Sequence, residues 1–485
     1  MSTNSLKAGL ATWLGRSSYW FLHHVTHGGS SLPGKLASKI DPNVLASLGA
    51  NYDVIIVTGT NGKTLTTNLI VKVLRQRYPD ILTNPTGSNM MQGIIAAFLA
   101  HGKSGERGLA VLEVDEANVA PVAAALHPKA FVLTNIFRDQ MDRYGEFYTT
   151  YEKILAGVRA NPQATVIANG DAPIFSSREL QNPMRYYGFA LSDQQTSDQV
   201  APPNTDGVLC PRCEHILHYH GMTYANLGDF FCPHCGFARP ALAHAVTAVH
   251  KLTPGSSDFA IDGHDYHLEI GGTYNVYNAL AAAAVGAEFG ITPTQLAQAF
   301  AYDEKVFGRQ EEIAIGDKTV TLILVKNPVG LNEVLHMITH QSQPFGLAVL
   351  LNANYADGID TSWIWDGDFE ELVASHQATS YLVGGERHKD IAFRLQVAGV
   401  DPAVLAVQPD LGNVIKAVAA MPEPQVYVLA TYTAVLQLRK KLADAATLNK
   451  AIKIGGQCGR LFAYSVSPGV DSMICILPEN CQSLI

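Results

Sequence analysis

The stretch Val54-Ile55-Ile56-Val57-Thr58-Gly59-Thr60-Asn61-Gly62-Lys63-Thr64 constrains this chain more than any other. Four consecutive β-branched residues read as a buried strand. A turn with two glycines follows, then Lys63, Thr64 and a helical run from Leu65 to Arg75. Strand, glycine turn and helix start together form an anion site. Backbone N–H groups point at phosphate oxygens there, and the helix dipole favours negative charge. In such a loop Gly59, Thr60, Asn61 and Gly62 cradle the phosphates of a nucleotide. Lys63 reaches the β- and γ-phosphates, and Thr64 offers its hydroxyl to Mg²⁺. The glycines let the backbone come close because neither carries a Cβ. The general pattern has a further glycine five residues before Gly62, where this chain has Val57. The match is the shorter G-x-x-G-K-T, and a purely structural turn is the competing reading.

At 485 residues the chain exceeds one ordinary core, so two or three domains are expected. A net charge of −9 argues against nucleic-acid binding, which usually rides on a basic surface. No apolar run approaches the ~18–20 residues of a membrane span. Arg16, His23 and His24 interrupt the apolar stretch from Trp13 to Val25, which speaks against a signal peptide. A cytoplasmic protein is expected. Four of the seven cysteines form two Cys-x-x-Cys pairs, which in that compartment read as metal ligands rather than disulfides. Cys458, Cys475 and Cys481 read as free thiols.

Cys210, Cys213, Cys232 and Cys235 are the most specific local signal. Eighteen residues separate the pairs, the spacing of a zinc ribbon. Two short knuckles bring four thiolates into a tetrahedron around the ion, and with no open position the site is structural. His215, His218, His220 and His234 lie nearby and read as surface residues. Few lysines or arginines accompany the ribbon, which argues against a nucleic-acid role for it.

Residues 1–48 read as a helical lead-in. Trp13, Trp20, Phe21 and Leu22 are expected to pack on the body rather than touch a membrane, since no large basic face accompanies them. Residues 49–305 are expected to form an α/β domain interrupted by the ribbon at about 205–240. Its strand candidates are Val54–Val57, Leu109–Val114, Ala130–Thr134 and Thr165–Ala168, alternating with helical runs. That alternation implies a parallel sheet, with ligands beyond the carboxyl ends of its strands. Polar clusters follow three of them: the phosphate loop, then Glu113, Asp115 and Glu116, then Thr134 to Arg143. Asn275 and Asn278 sit one turn apart near a helix start, placed either to meet an adenine edge or to cap the helix. Residues 306–445 read as a second α/β domain, with strands at Val320–Val325, Leu347–Leu351, Ser380–Val383 and Gln425–Ala430. Residues 446–485 are unassigned.

Taken together, TGTNGKT at 58–64, the acidic strand end at Glu113, TNIFRDQMDRYGE at 134–146, YNVYNALAAAA at 274–284 and FGRQEE at 307–312 resemble the Mur ligases, motif by motif and in order. The loop alone is also similar to that of folylpolyglutamate synthetases. A zinc ribbon set into the ATPase domain, with LVKNPVGLNEV at 324–334 and LNANYADGIDTSWIWD at 351–366, resembles the MurT family more closely. Its members are synthetase subunits of lipid II isoglutaminyl synthase. The resemblance implies a Mur ligase-like central P-loop ATPase domain with an inserted four-cysteine zinc ribbon, followed by a Rossmann-like C-terminal α/β domain.

It also implies an activity: ATP-dependent amidation of the D-glutamate α-carboxylate of lipid II through an acyl-phosphate. Ammonia would come from a GatD-like glutamine amidotransferase partner, because this chain carries no nucleophile-elbow cysteine. ATP, Mg²⁺ and structural Zn²⁺ are the implied cofactors. Thr64 and Glu113 are the implied magnesium ligands, with Glu116 a lesser one. Arg309 is similar to the family arginine near ribose and phosphates, and Asn275 to its adenine contact. Many Mur ligases have a histidine where this chain has Gln140, which puts a second metal position in doubt. The lysine that Mur ligases carbamylate has no clear match, in keeping with ammonia as nucleophile. An aspartate of the 351–366 segment, Asp360 first and Asp357 second, is implied to serve the partner's active site, against the plainer reading that both cap a turn. Trp363 and Trp365 would be core or partner contact. Peripheral contact with the inner face of the membrane is left open by a lipid-linked substrate. The rival readings are a ligase that adds an amino acid and a non-catalytic scaffold binding nucleotide and zinc.

Overall fold

The computed structural model describes residues 3–22, 31–84, 88–101, 107–138, 147–191, 198–201, 207–253, 255–301, 311–339, 341 and 343–452. Gln140, Arg309, Cys458, Cys475 and Cys481 lie outside the described residues. The chain divides into two compact units, Met1–Glu304 and Lys305–Ile485.

In the first unit, β1 (Tyr52–Thr58), β2 (Ile81–Thr83), β3 (Gly108–Glu113), β4 (Ala130–Leu133), β5 (Thr165–Asn169) and β6 (Met184–Phe189) form a parallel array. Val54, Ile55, Ile56 and Val57 of β1 are wholly buried, as expected of a central strand covered on both faces. The helices Lys63–Arg75, Met91–His101, Val119–Leu126 and Thr273–Glu288 pack on the sheet. β7 (Gln199–Val200), β8 (His218–Tyr224) and β9 (Leu227–Phe231) make a separate three-stranded sheet within the ribbon. β10 (His244–Leu252) then returns to pair with β6 in parallel, and β11 (Ser257–Ile261) and β12 (His264–Leu268) extend the sheet antiparallel. The full order is β12-β11-β10-β6-β5-β4-β1-β3-β2. β1 therefore lies between β3 and β4, which brings the three polar strand ends side by side.

The helices Thr3–Phe21 and Leu32–Ile40 pack against Met91–His101 through small residues. Ala11 is fully buried, and a Cβ on Gly15 would meet Leu99 Cδ1 at 2.7 Å. A Cβ on Gly34 would fall 1.9 Å from the Gln92 carbonyl oxygen. This close approach leaves no room for large side chains, so the aromatic residues take the other face. Trp13 and Trp20 are 64% and 60% exposed, and Phe21 is exposed as well. That corrects the expectation that they pack on the body; of that group, Leu22 alone is half-buried.

The second unit is a six-stranded sheet of β13 (Glu311–Ile315), β14 (Lys318–Leu324), β15 (Phe345–Leu350), β16 (Ala378–Gly384), β17 (Leu405–Gln408) and β18 (Gln425–Ala430). Its order is β13-β14-β18-β15-β16-β17, parallel except for β13. Period-2 alternation builds a core on each face. Phe345, Leu347 and Val349 of β15 point into one, Ala348 and Leu350 into the other.

Candidate nucleotide site and cysteine cluster

The loop after β1 is held by the segment after β4. The Thr60 amide donates to the Asn135 carbonyl at 2.8 Å, and the Asn61 amide to Asn135 Oδ1 at 2.8 Å. Asn135 Nδ2 and Thr134 Oγ1 both donate to the Asn61 carbonyl, at 3.1 and 3.0 Å. Two loop glycines are required by conformation and by space. Gly59 has φ +133°, and a Cβ there would lie 2.3 Å from Thr134 Oγ1. Gly62 has φ +82°, and its Cβ would lie 2.3 Å from Asn278 Oδ1. Only glycine satisfies both demands. Gly62 caps the Lys63–Arg75 helix, which starts two residues ahead of the run expected from Leu65.

Lys63 Nζ folds back over this loop, donating to the Gly59 carbonyl at 2.5 Å and to Glu116 Oε1 at 3.1 Å. Burial by itself lowers the pKa of an ammonium; here Glu116, Glu113 and Asp115 outweigh it and the pKa rises. All three carboxylates are buried. Glu113 ends β3, its backbone pinned in both directions by Asn84 and its Oε1 receiving Asn89 Nδ2 at 3.0 Å. Asp115 caps the short 3₁₀ turn Glu116–Asn118 through the Ala117 amide. One ammonium among three carboxylates leaves a local charge of about −2 when all are ionised, which suits a divalent cation. Thr64 is half-buried in the first turn of the helix.

Asn275 and Asn278 are both buried and bonded within the protein. Asn278 Oδ1 accepts from Thr66 Oγ1 at 3.0 Å, and its Nδ2 donates to Asn275 Oδ1 at 3.2 Å. Asn275 Nδ2 donates to the Gly271 carbonyl at 2.6 Å. Through Asn278 the pair buttresses the Gly59–Gly62 loop from behind, a role that sequence spacing did not reveal. A cavity of about 710 Å³ opens at the amino ends of β4 and β5 against His127, Lys129 and Thr165, and so away from the loop.

The four cysteines converge. Cys210 and Cys235 Sγ atoms are 3.6 Å apart and those of Cys213 and Cys232 3.5 Å, with all four within 4.8 Å of one another. A disulfide would need about 2.05 Å. An ion at about 2.3 Å from four sulfurs in a tetrahedron spaces them about 3.8 Å apart, so the arrangement fits tetrahedral zinc. Burial pushes the Cys232 thiol up, but the Cys235 and His234 amides with the neighbouring thiols pull it down to about 6. His215 and His234 stack at 3.7 Å and come close to Cys213, while His218 pairs with Asp198. The ribbon is tied to the body through Asp171. This fully buried carboxylate accepts from Arg239 at 2.9 Å, Tyr277 OH at 2.6 Å and the Phe189 amide at 2.7 Å. Thr223 of β8 also meets Tyr277 OH at 2.6 Å.

In the second unit the two candidate aspartates differ. Asp357 is buried and caps the helix Tyr432–Ile452, accepting from the Thr433 amide at 2.7 Å and from its hydroxyl. Asp360 is exposed and accepts only the Ser362 amide among the bonds described, at 2.8 Å. Tyr355, Ile359 and Trp365 are exposed in the same segment. Trp365 packs edge-on against the exposed Phe393, with Arg394 over its ring, while Trp363 packs on the core. A cavity of about 330 Å³, which sequence reading missed, lies at strand ends among Asn352, Glu386, His388, Asp410, Gln437 and Lys441.

The profile of the Mur ligase middle domain matches residues 57–209, and that of the MurT ligase C-terminal domain matches 324–435. Among curated relatives, the lipid II isoglutaminyl synthase (glutamine-hydrolyzing) subunit MurT of Streptococcus pneumoniae (strain ATCC BAA-255 / R6) is 47% identical over 92% of this chain and 99% of its own length. The subunit of the same name from Staphylococcus aureus (strain N315) is 32% identical over 78% of this chain and 85% of its own. Solved structures of the same fold include a pseudomurein peptide ligase type C from Methanothermus fervidus, with TM-score 0.61, 19% identity and coverage of 85% of this chain and 84% of that one. MurF from Thermotoga maritima in complex with ADP gives TM-score 0.56 and 13% identity over 85% of both chains. With its identity to a MurT subunit running almost end to end, and a Mur ligase middle domain followed by a MurT C-terminal domain, the chain belongs to the MurT family.

Proposed function

We propose that this chain is the ATP-using synthetase subunit of a lipid II isoglutaminyl synthase. The observation that carries the reading is the phosphate loop, with Lys63 set among Glu113, Asp115 and Glu116, in a chain of this family. Phosphorylating a carboxylate asks for positioning and charge neutralisation rather than covalent help. Lys63 would exchange the Gly59 carbonyl for β- and γ-phosphate oxygens. An oxygen of the D-glutamate α-carboxylate attacks the γ-phosphorus, the bond to the β,γ-bridging oxygen breaks, and ADP leaves. The lone pair of ammonia then attacks the acyl carbon, phosphate departs, nitrogen loses a proton, and D-isoglutamine remains. Thr64 and Glu113, with Glu116 as a lesser ligand, would hold Mg²⁺, which supplies further charge neutralisation at the phosphates. Asn275 and Arg309 are carried as nucleotide contacts on family resemblance. Gly59→Ala is expected to weaken ATP binding about tenfold or more in a nucleotide titration, because its Cβ would drive the loop off Thr134.

Ammonia would come from a GatD-like glutaminase, with Asp360 orienting the partner's catalytic histidine, where a carboxylate fixes the tautomer. Exposure of Asp360 and the internal bonding of Asp357 support that choice. Asp360→Asn is expected to cut glutamine-driven amidation by at least about a hundredfold and to leave ammonium-driven amidation intact. Equal loss with both nitrogen sources would refute the assignment. The test of the whole reading is co-expression with a candidate glutaminase. Amidated lipid II is then assayed with glutamine, ammonium or free amino acids, and product only with an amino acid would identify the rival ligase.

A further inference from the structure

The Thr3–Phe21 helix is built inside out for a helix that only packs on its own body. Its small residues Ala11 and Gly15 face the protein, while Leu10, Trp13, Leu14, Trp20 and Phe21 are exposed. At 100° per residue those five fall within an arc of about 120°. Lys7 and Arg16 flank that arc on either side. Leu32 and Leu36, one turn apart on the adjoining helix, are exposed too, with Lys35 and Lys39 on the same helix. Monomers seldom leave a patch of this kind bare without a use.

Charge singles out the occupant. Residues 1–40 carry Lys7, Arg16, Lys35 and Lys39 and no aspartate or glutamate, a net +4 at the head of a chain of net −9. Tryptophan and phenylalanine beside lysine and arginine on a helix not apolar enough to cross a bilayer suit its interfacial zone. A second copy would set the same cationic face against itself, which like charges oppose. We propose that the exposed face of the Thr3–Phe21 and Leu32–Ile40 helices docks on an anionic lipid bilayer, laying the aromatic side chains at headgroup depth and holding the enzyme where a lipid-linked precursor resides. The lipid-linked precursor rests on the function proposed above; the docking itself does not.

The full chain, with its partner if co-purified, is sedimented with vesicles of phosphatidylglycerol and phosphatidylcholine and with vesicles of phosphatidylcholine alone. Binding is expected to the anionic vesicles, with a blue shift in tryptophan emission and loss at high salt. Trp13→Ser/Leu14→Ser is expected to lose at least about tenfold in vesicle affinity. Lys7→Glu/Lys35→Glu is expected to lose the preference for anionic lipid. Both variants should keep a native circular dichroism spectrum and amidate detergent-dispersed precursor normally. Absence of binding by the parent chain, or unchanged binding by the serine variant, overturns the proposal. So does self-association that the serine variant abolishes without any vesicle binding, which would assign the face to a second copy. Vesicle binding without amidation of any precursor would leave the docking standing and remove the proposed function.

Discussion

Lys63→Ala is expected to lower ATP-dependent amidation by about 10²–10³-fold or more, the scale set by removing one preorganised donor from developing transition-state charge. The variant also carries a structural cost. Lys63 and Glu116 side chains are only 11% and 7% exposed, and breaking a buried pair costs about 3–5 kcal/mol because the remaining charge is left without its partner. A fall in activity alone would therefore not separate catalysis from folding. The double variant Lys63→Ala/Glu116→Gln removes both charges of the pair. Thermal unfolding should return toward that of the parent while amidation stays low and zinc content stays unchanged. If amidation recovered with stability, Lys63 would be a structural residue and the phosphate reading would fall.

Removing the metal that the cysteines would hold is expected to have the second large effect. Zinc contributes on the order of 10 kcal/mol to small Cys-ligated folds, and the ribbon core is little more than Cys210, Leu217, Tyr219, Phe230, Cys232 and Phe237. A Cys232→Ser variant, or chelation, should drop the bound zinc from one per chain and open residues 207–240 to protease. The consequence should reach further. Arg239 would lose its fixed position against Asp171, and Tyr277 its bond to Thr223. Tyr277 lies on the helix whose Asn278 supports Thr66 and Gly62. ATP affinity should then weaken by a few-fold to about thirtyfold, the range of mutational coupling through packed networks. Nucleotide titration of the zinc-free protein checks this; unchanged ATP affinity would mean that the ribbon stabilises itself and nothing more.

Much of the loop and helix start at the candidate site is legible in the sequence, because it is local. The run Val54–Val57, the glycine turn and the helix from Lys63 are each specified by residues within a few positions of one another. The second sheet was equally readable in its central strands, Gln425–Ala430 matching β18 residue for residue. Other strands were not: β6 and β10 carry polar residues along their length and break the apolar pattern, while β2 and β17 are short strands at sheet edges. The exposed stripe of the first helix was misread because the lack of a large basic face was taken to mean packing on the body, whereas the small face packs closely and the large one cannot.

Local dihedral preference, side-chain period and cysteine spacing are written in neighbouring residues, so the amino-acid order by itself determined the glycine turn ahead of Lys63, the two cysteine knuckles and the alternating α/β plan. Only the tertiary structure decided that β1 would lie between β3 and β4, that Lys63 would reach Glu116 across 53 positions, that Asn278 would stand behind Gly62, and that Asp357 would be buried while Asp360 stays in solvent. Those outcomes depend on which strand ends the sheet order brings together and which helix face finds space. That is a matter of long-range packing and loop closure, and no short window of sequence contains it.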